Sequence, residues 1–555
     1  MVILGFLSSV FFLIGPYLSS LYVDKSFLKK DLNVFLKLSV LGAALVLISA
    51  LAKFSNDILK KRLAVRIKLN LSRKLIKKLF SLDMGFFRSS SIGENIYRIS
   101  NIEPLADFIA DQIPFLLVDI SKLFIILAIS LWLNLRLTVF LLALSPLFLL
   151  QSLYIRKKIR PLYNEIWSSR VKLTKLLEES LANVQIVKAL GLNKWQEHVY
   201  VRQLLKNIRL GLNGFRWSVF NSLGAVFLSK GAYGLISLYG GWMIIQGKIS
   251  LGTFSAAMLY IVQLGNLLQS LSYRFEYFIQ QGISLDKIAQ IISLDAQIRD
   301  HPGAENIISL KGKVFFQGVK FGYEKDRLVF DQFLWIAIVG PSGCGKTTLA
   351  NLILRLYDPQ GGKITIDGVD LKGIKLESLR NKIAIATQDP LLFDLSIRDN
   401  IVCDLNNLTE DKVQEAGRIA QMHDFIKWLP CGYDTFIGES GCQLSQGFKQ
   451  RVALARAITR EPDLLILDEA TSSIDSATED KILNALRLKR AGRSTVVISH
   501  RLSTIKDADL LFLFTADGKI EEGTHSELLS RSQAYREFFT SQMTEETRRD
   551  FAREF

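Results

Sequence analysis

The sequence predicts a multidomain protein, an all-α transmembrane domain of six helices followed by a soluble α/β domain. Six long apolar stretches crowd the first half of the chain, and after about Ile283 short β-branched and aromatic runs alternate with charged helical segments. The bulk numbers agree. A chain of 555 residues exceeds what one hydrophobic core organises. With 49% hydrophobic and 22% charged residues, it suits a protein partly in lipid and partly in water.

A hydrocarbon core of about 30 Å takes about 20 mostly apolar residues per helix. Segments 2–22, 34–54, 113–133, 137–153, 219–245 and 251–271 meet that length, whereas soluble core helices rarely sustain so many such runs. The connections at 23–33, 134–136 and 246–250 are short, and those after the second and fourth segments are long. The long ones carry much of the basic charge, including Lys60, Lys61, Arg62, Arg66, Lys68, Arg73, Lys74, Lys77 and Lys78, which places them on the cytoplasmic side. The net charge of +16 therefore reads as positive-inside charge of a cytoplasmic-membrane protein, not as a nucleic-acid surface. Helical spacing over 55–80 and 156–201 predicts that the membrane helices continue into the cytoplasm. No Lys or Arg precedes the first apolar run, which argues against a cleaved signal peptide.

These patterns predict a membrane domain at 1–282, a linker at 283–312 and a soluble domain at 313–555. All four cysteines (Cys344, Cys403, Cys431, Cys442) lie in the hydrophilic part without CxxC spacing, as expected in a reducing cytosol. Inside the spans, Asp119, Lys122 and Lys230 are ionisable and costly in lipid, so they either face a cavity, pair or snorkel. At 1.5 Å per residue, Lys122 and Lys230 fall about 18 Å and about 24 Å from the outer ends of their helices, within the inner half. Lining a cavity, the two lysines would favour an anionic or amphipathic cargo. Pairing of Asp119 with Lys122 is the simpler alternative.

The soluble part carries GPSGCGKT at Gly340, Pro341, Ser342, Gly343, Cys344, Gly345, Lys346 and Thr347, followed by Thr348, between a predicted strand 335–339 and a predicted helix 349–356. Spacing and context are those of a phosphate-binding loop. Glycines let backbone amides curl around phosphate oxygens at a helix N-terminus, Lys346 adds positive charge at the β and γ phosphates, and Thr347 is placed to ligate Mg2+. Farther on, the buried-strand run 464–467 ends in Asp468 and Glu469. Asp468 would hold the magnesium shell, and Glu469 would orient or deprotonate the attacking water.

Between these lies GCQLSQGFKQRVALARA, 441–457, which resembles the signature segment of ATP-binding cassette (ABC) proteins, whose pattern is LSGGQ. Here Leu444, Ser445, Gln446, Gly447 and Phe448 keep the serine and second glycine and replace the first glycine and the glutamine. The resemblance implies a P-loop NTPase cassette in which Ser445 and Gly447 contact ATP bound by the opposite cassette, so each ATP needs two chains. It also implies that Tyr323 stacks on adenine, that Gln388 links magnesium to the membrane domain and that His500 touches the γ-phosphate. Residues 472–475, including Asp475, resemble the D-loop, and Glu439 resembles the acidic residue that senses the cytoplasmic loops.

Six helices followed by one cassette resemble half-transporters of the ABC exporter type over essentially the whole chain. The resemblance implies ATP-driven export or flipping of a lipid, drug or peptide by a homodimer or a heterodimer, with short helices near 89–99 and 182–192 docking on the cassettes. The rival reading is a nucleotide-gated channel or regulator that binds ATP without pumping, and Glu469 favours the pump. Three departures stand out. The altered signature fits a paired exporter of unlike chains, the connection at Phe333 and Leu334 is shorter than in family cassettes, and the chain enters its first membrane helix without the amphipathic helix exporters often place there.

Overall fold

The computed structural model describes residues 1–133, 135–320, 327–330, 335–341, 343–403, 408–437, 444–515 and 519–541. Of the residues singled out above, Tyr323, Ser342, Phe333, Leu334, Glu439 and Cys442 lie outside the described residues. Two compact units divide the chain, one of Met1–Leu82 with Phe86–Asp295 and one from Ala296 onward.

The first unit is entirely helical. Among the described residues five helical segments are long and apolar enough to cross a membrane: Val2–Phe27, Leu32–Ser81, Ile92–Leu133 (interrupted at Asn101), Asn193–Ile245 and Leu251–Ser293. Segment 137–153 lies within one continuous helix, Leu135–Ala182. The side chains from 140 to 149 are all outside the described set. In the Leu32–Ser81 helix Val40, Leu47 and Leu51 are exposed, as side chains solvated by lipid would be. That helix starts where Asp31 accepts from the backbone N–H of Asn33 (3.0 Å) and Val34 (3.2 Å).

Four of these helices run for 43 to 53 residues, so they far outreach a hydrocarbon core, as the helical spacing over 55–80 and 156–201 predicts for the two long connections. Short helices also form near the two stretches expected to dock, at Ile92–Ser100 and Val184–Ala189. The first is capped by Ser91 and packs on the Leu135–Ala182 helix, with the Tyr97 and Trp167 rings edge to face at 4.7 Å. Hydropathy falls after Ile283, yet the last helix continues to Ser293, because it changes from an all-apolar to a one-sided pattern without a breaker.

The second unit is α/β. A six-stranded sheet runs from edge to edge as Ile520–Gly523, Leu510–Phe514, Trp335–Val339, Ser494–Ile498, Leu464–Asp468 and Ile383–Ala386. All neighbours pair in parallel except the antiparallel edge Ile520–Gly523. The central strands are buried on both faces and therefore read as unbroken apolar runs. In Trp335–Val339 the odd residues join one core and Ile336 and Ile338 the other, which is the period-two pleat. The same unit holds a four-stranded antiparallel sheet, Arg327–Phe330, Val314–Lys320, Gly361–Ile366 and Val369–Asp370, and a two-stranded one, Leu395–Ser396 with Phe436–Ile437.

Candidate nucleotide site

Strand register decides where the chemistry collects. Ile498 pairs with Ile338 on one side and with Asp468 on the other, so three parallel strands end side by side. The phosphate loop leaves the first, Asp468 and Glu469 the third, and His500 lies just past the middle one. Residues more than a hundred positions apart in sequence thus share one sheet edge, the carboxyl ends of parallel strands where ligands of open α/β sheets bind.

The loop glycines are required by the backbone. Gly340, Gly343 and Gly345 have φ of +148°, +83° and +97°. A Cβ on Gly340 would also come within 2.4 Å of the Phe514 carbonyl. Gly345 caps the helix Lys346–Ile353. Lys346 is buried, its Nζ donating to the carbonyls of Gly340 (2.8 Å) and Pro341 (2.8 Å). Cys344 Sγ lies 3.8 Å from the same Nζ, and Thr348 is half-buried beside it.

Thr347 hydrogen-bonds to the Asp468 carboxylate. Burial pushes the Asp468 carboxyl above its ordinary range, outweighing the hydrogen bond from Thr347 and the attraction of Lys346. Glu469 sits at φ +49°, a region costly for a residue with a Cβ, and its N–H donates to the Ile498 carbonyl (2.9 Å). That conformation turns its side chain to His500, with Oε1 2.8 Å from Nε2. The structure thus brings together Gly340, Pro341, Gly343 to Thr348, Asp468, Glu469 and His500.

Gln388, Ser445, Gly447 and Asp475 are joined through a second set of bonds. Ser445 caps the signature helix Gln446–Thr459 by accepting from the Phe448 N–H (3.3 Å), and Asp475 caps the helix Ser476–Lys489 by accepting from Thr478 (2.9 Å). That bond holds the Asp475 carboxyl below its usual range. Gln388 is exposed, and its carbonyl accepts from Gln450. A Cβ on Gly447 would stand 2.6 Å from the Ser473 carbonyl, so only glycine lets the signature helix approach the 472–475 turn this closely.

The two altered signature residues have local partners. Gln446 donates to Asp389 (3.1 Å), and Phe448 is buried against Phe425 at 4.8 Å between ring centroids. Sequence reasoning missed Gln450, Arg501 and Glu479, which tie the loops of the site together. The only available signal was adjacency, since Gln450 lies inside the signature segment and Arg501 follows His500.

In the membrane unit, buried Asp119 pairs with Lys122 (3.2 Å) and also with Arg274 (3.3 Å) of the last helix. Arg274 donates in turn to Gln112 Oε1 (2.5 Å). Lys230 is exposed and has no ion-pair partner among the described residues. A cavity of about 350 Å³ is lined by Phe275, Phe278, Ile279, Gly282, Ile283 and Leu285, with Arg160 and Asp286 at its polar side.

Comparison with known proteins gives these features a family. Residues 1–268 match the ABC transporter transmembrane region and residues 324–472 match the ABC transporter domain. The chain is 31% identical over 547 residues to an ATP-dependent lipid A-core flippase of Syntrophus aciditrophicus, covering 97% of this chain and 90% of the relative. It is 28% identical over 529 residues to a toxin RTX-I translocation ATP-binding protein of Actinobacillus pleuropneumoniae, covering 94% of this chain and 74% of the relative. A solved structure of a bacterial Atm1-family ABC exporter with ATP bound superposes with a TM-score of 0.89 at 28% identity, over 98% of each chain. With an exporter-type membrane region and a nucleotide-binding cassette fused in one multi-pass membrane chain, this protein belongs to the ABC transporter family and is one of its exporters.

Proposed function

We propose that this chain is one half of an ATP-hydrolysing pump in the cytoplasmic membrane, which flips or exports an amphipathic lipid, drug or peptide as a dimer with a second copy or a related half-transporter. The observation that carries the hydrolytic part is the Glu469–His500 contact at the carboxyl ends of neighbouring strands. A carboxylate held by an imidazole beside a phosphate loop is suited to orient water and accept its proton.

The donors beside that contact fit Mg2+, which prefers hard oxygen ligands and keeps phosphate oxygens in its shell. Thr347 offers a hydroxyl, Asp468 a desolvated carboxylate and Gln388 an exposed amide. Bound MgATP supplies the electrophilic γ-phosphorus and the diphosphate leaving group. Lys346 steadies the phosphate charge, Glu469 orients the attacking water, and His500 holds Glu469 and reaches toward the γ-phosphate. Ser445, Gly447 and Asp475 serve the nucleotide of the partner cassette, so ATP binding joins two cassettes and favours one membrane conformation until hydrolysis releases it.

Support for an amphipathic cargo comes from relatives named for lipid A-core and toxin transport. Reconstituted in liposomes, the protein is expected to move a labelled amphiphile with ATP but not with a non-hydrolysable analogue. Equal movement with both would replace the pump by a nucleotide-gated channel. The two lysines should differ. Lys122 is held by Asp119, which it shares with Arg274, whereas exposed Lys230 has no such partner among the described residues and leaves its charge open to cargo. Lys230→Ala is therefore expected to reduce stimulation of ATPase by anionic amphiphiles about threefold, the worth of one exposed charge contact. Lys122→Ala is expected to change it less, and unchanged stimulation in both variants removes the lysines from cargo selection.

A further inference from the structure

The 472–475 turn is held from two sides by residues that the nucleotide chemistry above does not use. Gln450, on the signature helix, is 1% exposed and bonds through both amide atoms to that turn. Its Nε2 donates to the Gln388 carbonyl (2.8 Å) and to Ser472 Oγ (3.0 Å), and its Oε1 accepts from the Ser473 N–H (3.0 Å). From the other side Arg501 donates through Nη1 to the Ile474 carbonyl (2.8 Å) and through Nη2 to the Ser472 carbonyl (2.7 Å). The guanidinium also pairs with Glu479, a fully buried carboxylate that accepts from Thr471 (2.6 Å) and Thr504 (3.3 Å).

We propose that Gln450 and Arg501 are positioning residues for ATP hydrolysis, fixing the 472–475 turn between the segment that carries Gln388 and the segment that carries His500. The inference rests on the hydrolytic reading of Glu469. The turn begins on that residue, since the Ser472 N–H donates to the Glu469 carbonyl (3.2 Å). Glu469 is held at φ +49°, and such a conformation persists only where the surroundings over-determine it. Arg501 adjoins His500 in the chain, so the guanidinium that grips the turn also fixes the backbone from which the Glu469-binding imidazole projects.

Every segment bearing a candidate ATP-contacting side chain in the second set meets this pair. Gln388 is reached by Gln450, Ser445 and Gly447 begin the Gln450 helix, and Asp475 follows the turn that both residues hold. A displacement of about 1 Å in such a constellation costs on the order of 10²-fold in rate. Among the described residues neither bonds to the phosphate loop, so loosening either grip is read in turnover more than in nucleotide affinity.

The experiment compares steady-state ATPase of the full-length protein in liposomes for the wild type, Glu469→Gln, Gln450→Leu and Arg501→Lys, with thermal melting of each. Gln450→Leu keeps the shape and removes three hydrogen bonds. Arg501→Lys keeps the charge beside Glu479 but lacks the fork needed for two carbonyls at once. Both are expected to lower kcat about 10- to 100-fold with KM for ATP within about threefold, and Arg501→Lys to do so with a near-wild-type melting temperature. In a Glu469→Gln background, Arg501→Lys is expected to lower the residual rate by less than about threefold, because it acts through the carboxylate. Wild-type kcat in the folded fraction of both variants overturns the inference, as does an equal loss in the Glu469→Gln background. Wild-type turnover of Glu469→Gln alone defeats instead the hydrolytic reading beneath it.

Discussion

Glu469→Gln is expected to lower steady-state ATP hydrolysis by about 10³-fold while leaving nucleotide binding intact, because it removes a proton acceptor worth ~10²–10⁴ and little else. The amide has the shape of the carboxylate, and at φ +49° both side chains carry the same backbone strain. His500 Nε2, now 2.8 Å from Oε1, retains an oxygen to donate to. What disappears is the negative charge that makes the attacking water nucleophilic. The measurement is phosphate release by the purified protein, beside binding of a fluorescent nucleotide. Undiminished hydrolysis would assign the water to another group, and absence of hydrolysis in the wild type as well would revive a regulator that only binds ATP.

Asp468→Asn should give effects of opposite sign on stability and turnover. Burial raises the Asp468 carboxyl pKa above its unfolded value, so the folded state binds the proton more tightly than the unfolded chain does. The stability this provides is present in acid and is lost as pH rises through the folded pKa. At neutral pH the site holds a desolvated negative charge at a cost. Asparagine deletes the charge and keeps an oxygen for Thr347. Without nucleotide or magnesium, the variant is expected to melt on the order of a few °C above wild type at pH 7 to 8. The gap should close as pH approaches 4. With MgATP the order reverses, because only the carboxylate is stabilised by the cation, and hydrolysis is expected to fall about 10²-fold or more. A variant that melts below wild type at every pH without MgATP would show that the charge is compensated inside the fold.

The parts of this protein legible in its sequence are those whose physics is local. Apolar runs give the spans, glycine spacing gives the phosphate loop, and an apolar strand ending in Asp468 and Glu469 gives the carboxylate pair. Long-range partners leave no such trace. Within one helix, spacing points from Asp119 to Lys122, but nothing marks Arg274, on another helix, as the second cation on that carboxylate. Gln450 shows the same limit, because a polar residue on a charged helix reads as a solvated one until the neighbouring turn is placed against it. Gln446 and Phe448 look like lost contacts when set against a motif. In the fold one reaches Asp389 and the other fills the core. Hydropathy, finally, marks where lipid ends and not where a helix ends, which is why the last helix runs on to Ser293.

The Leu32–Ser81 helix is continuous over 50 residues, a rod of about 75 Å without proline or glycine pair to bend it. Such a rod cannot absorb motion at one end within itself. A tilt of about 5° about a point near its outer end carries the inner end through about 6 Å, more than one helical turn of 5.4 Å. A small angular change at the outer end of this helix, and not local unwinding, is therefore enough to displace its inner end by more than a side chain's width.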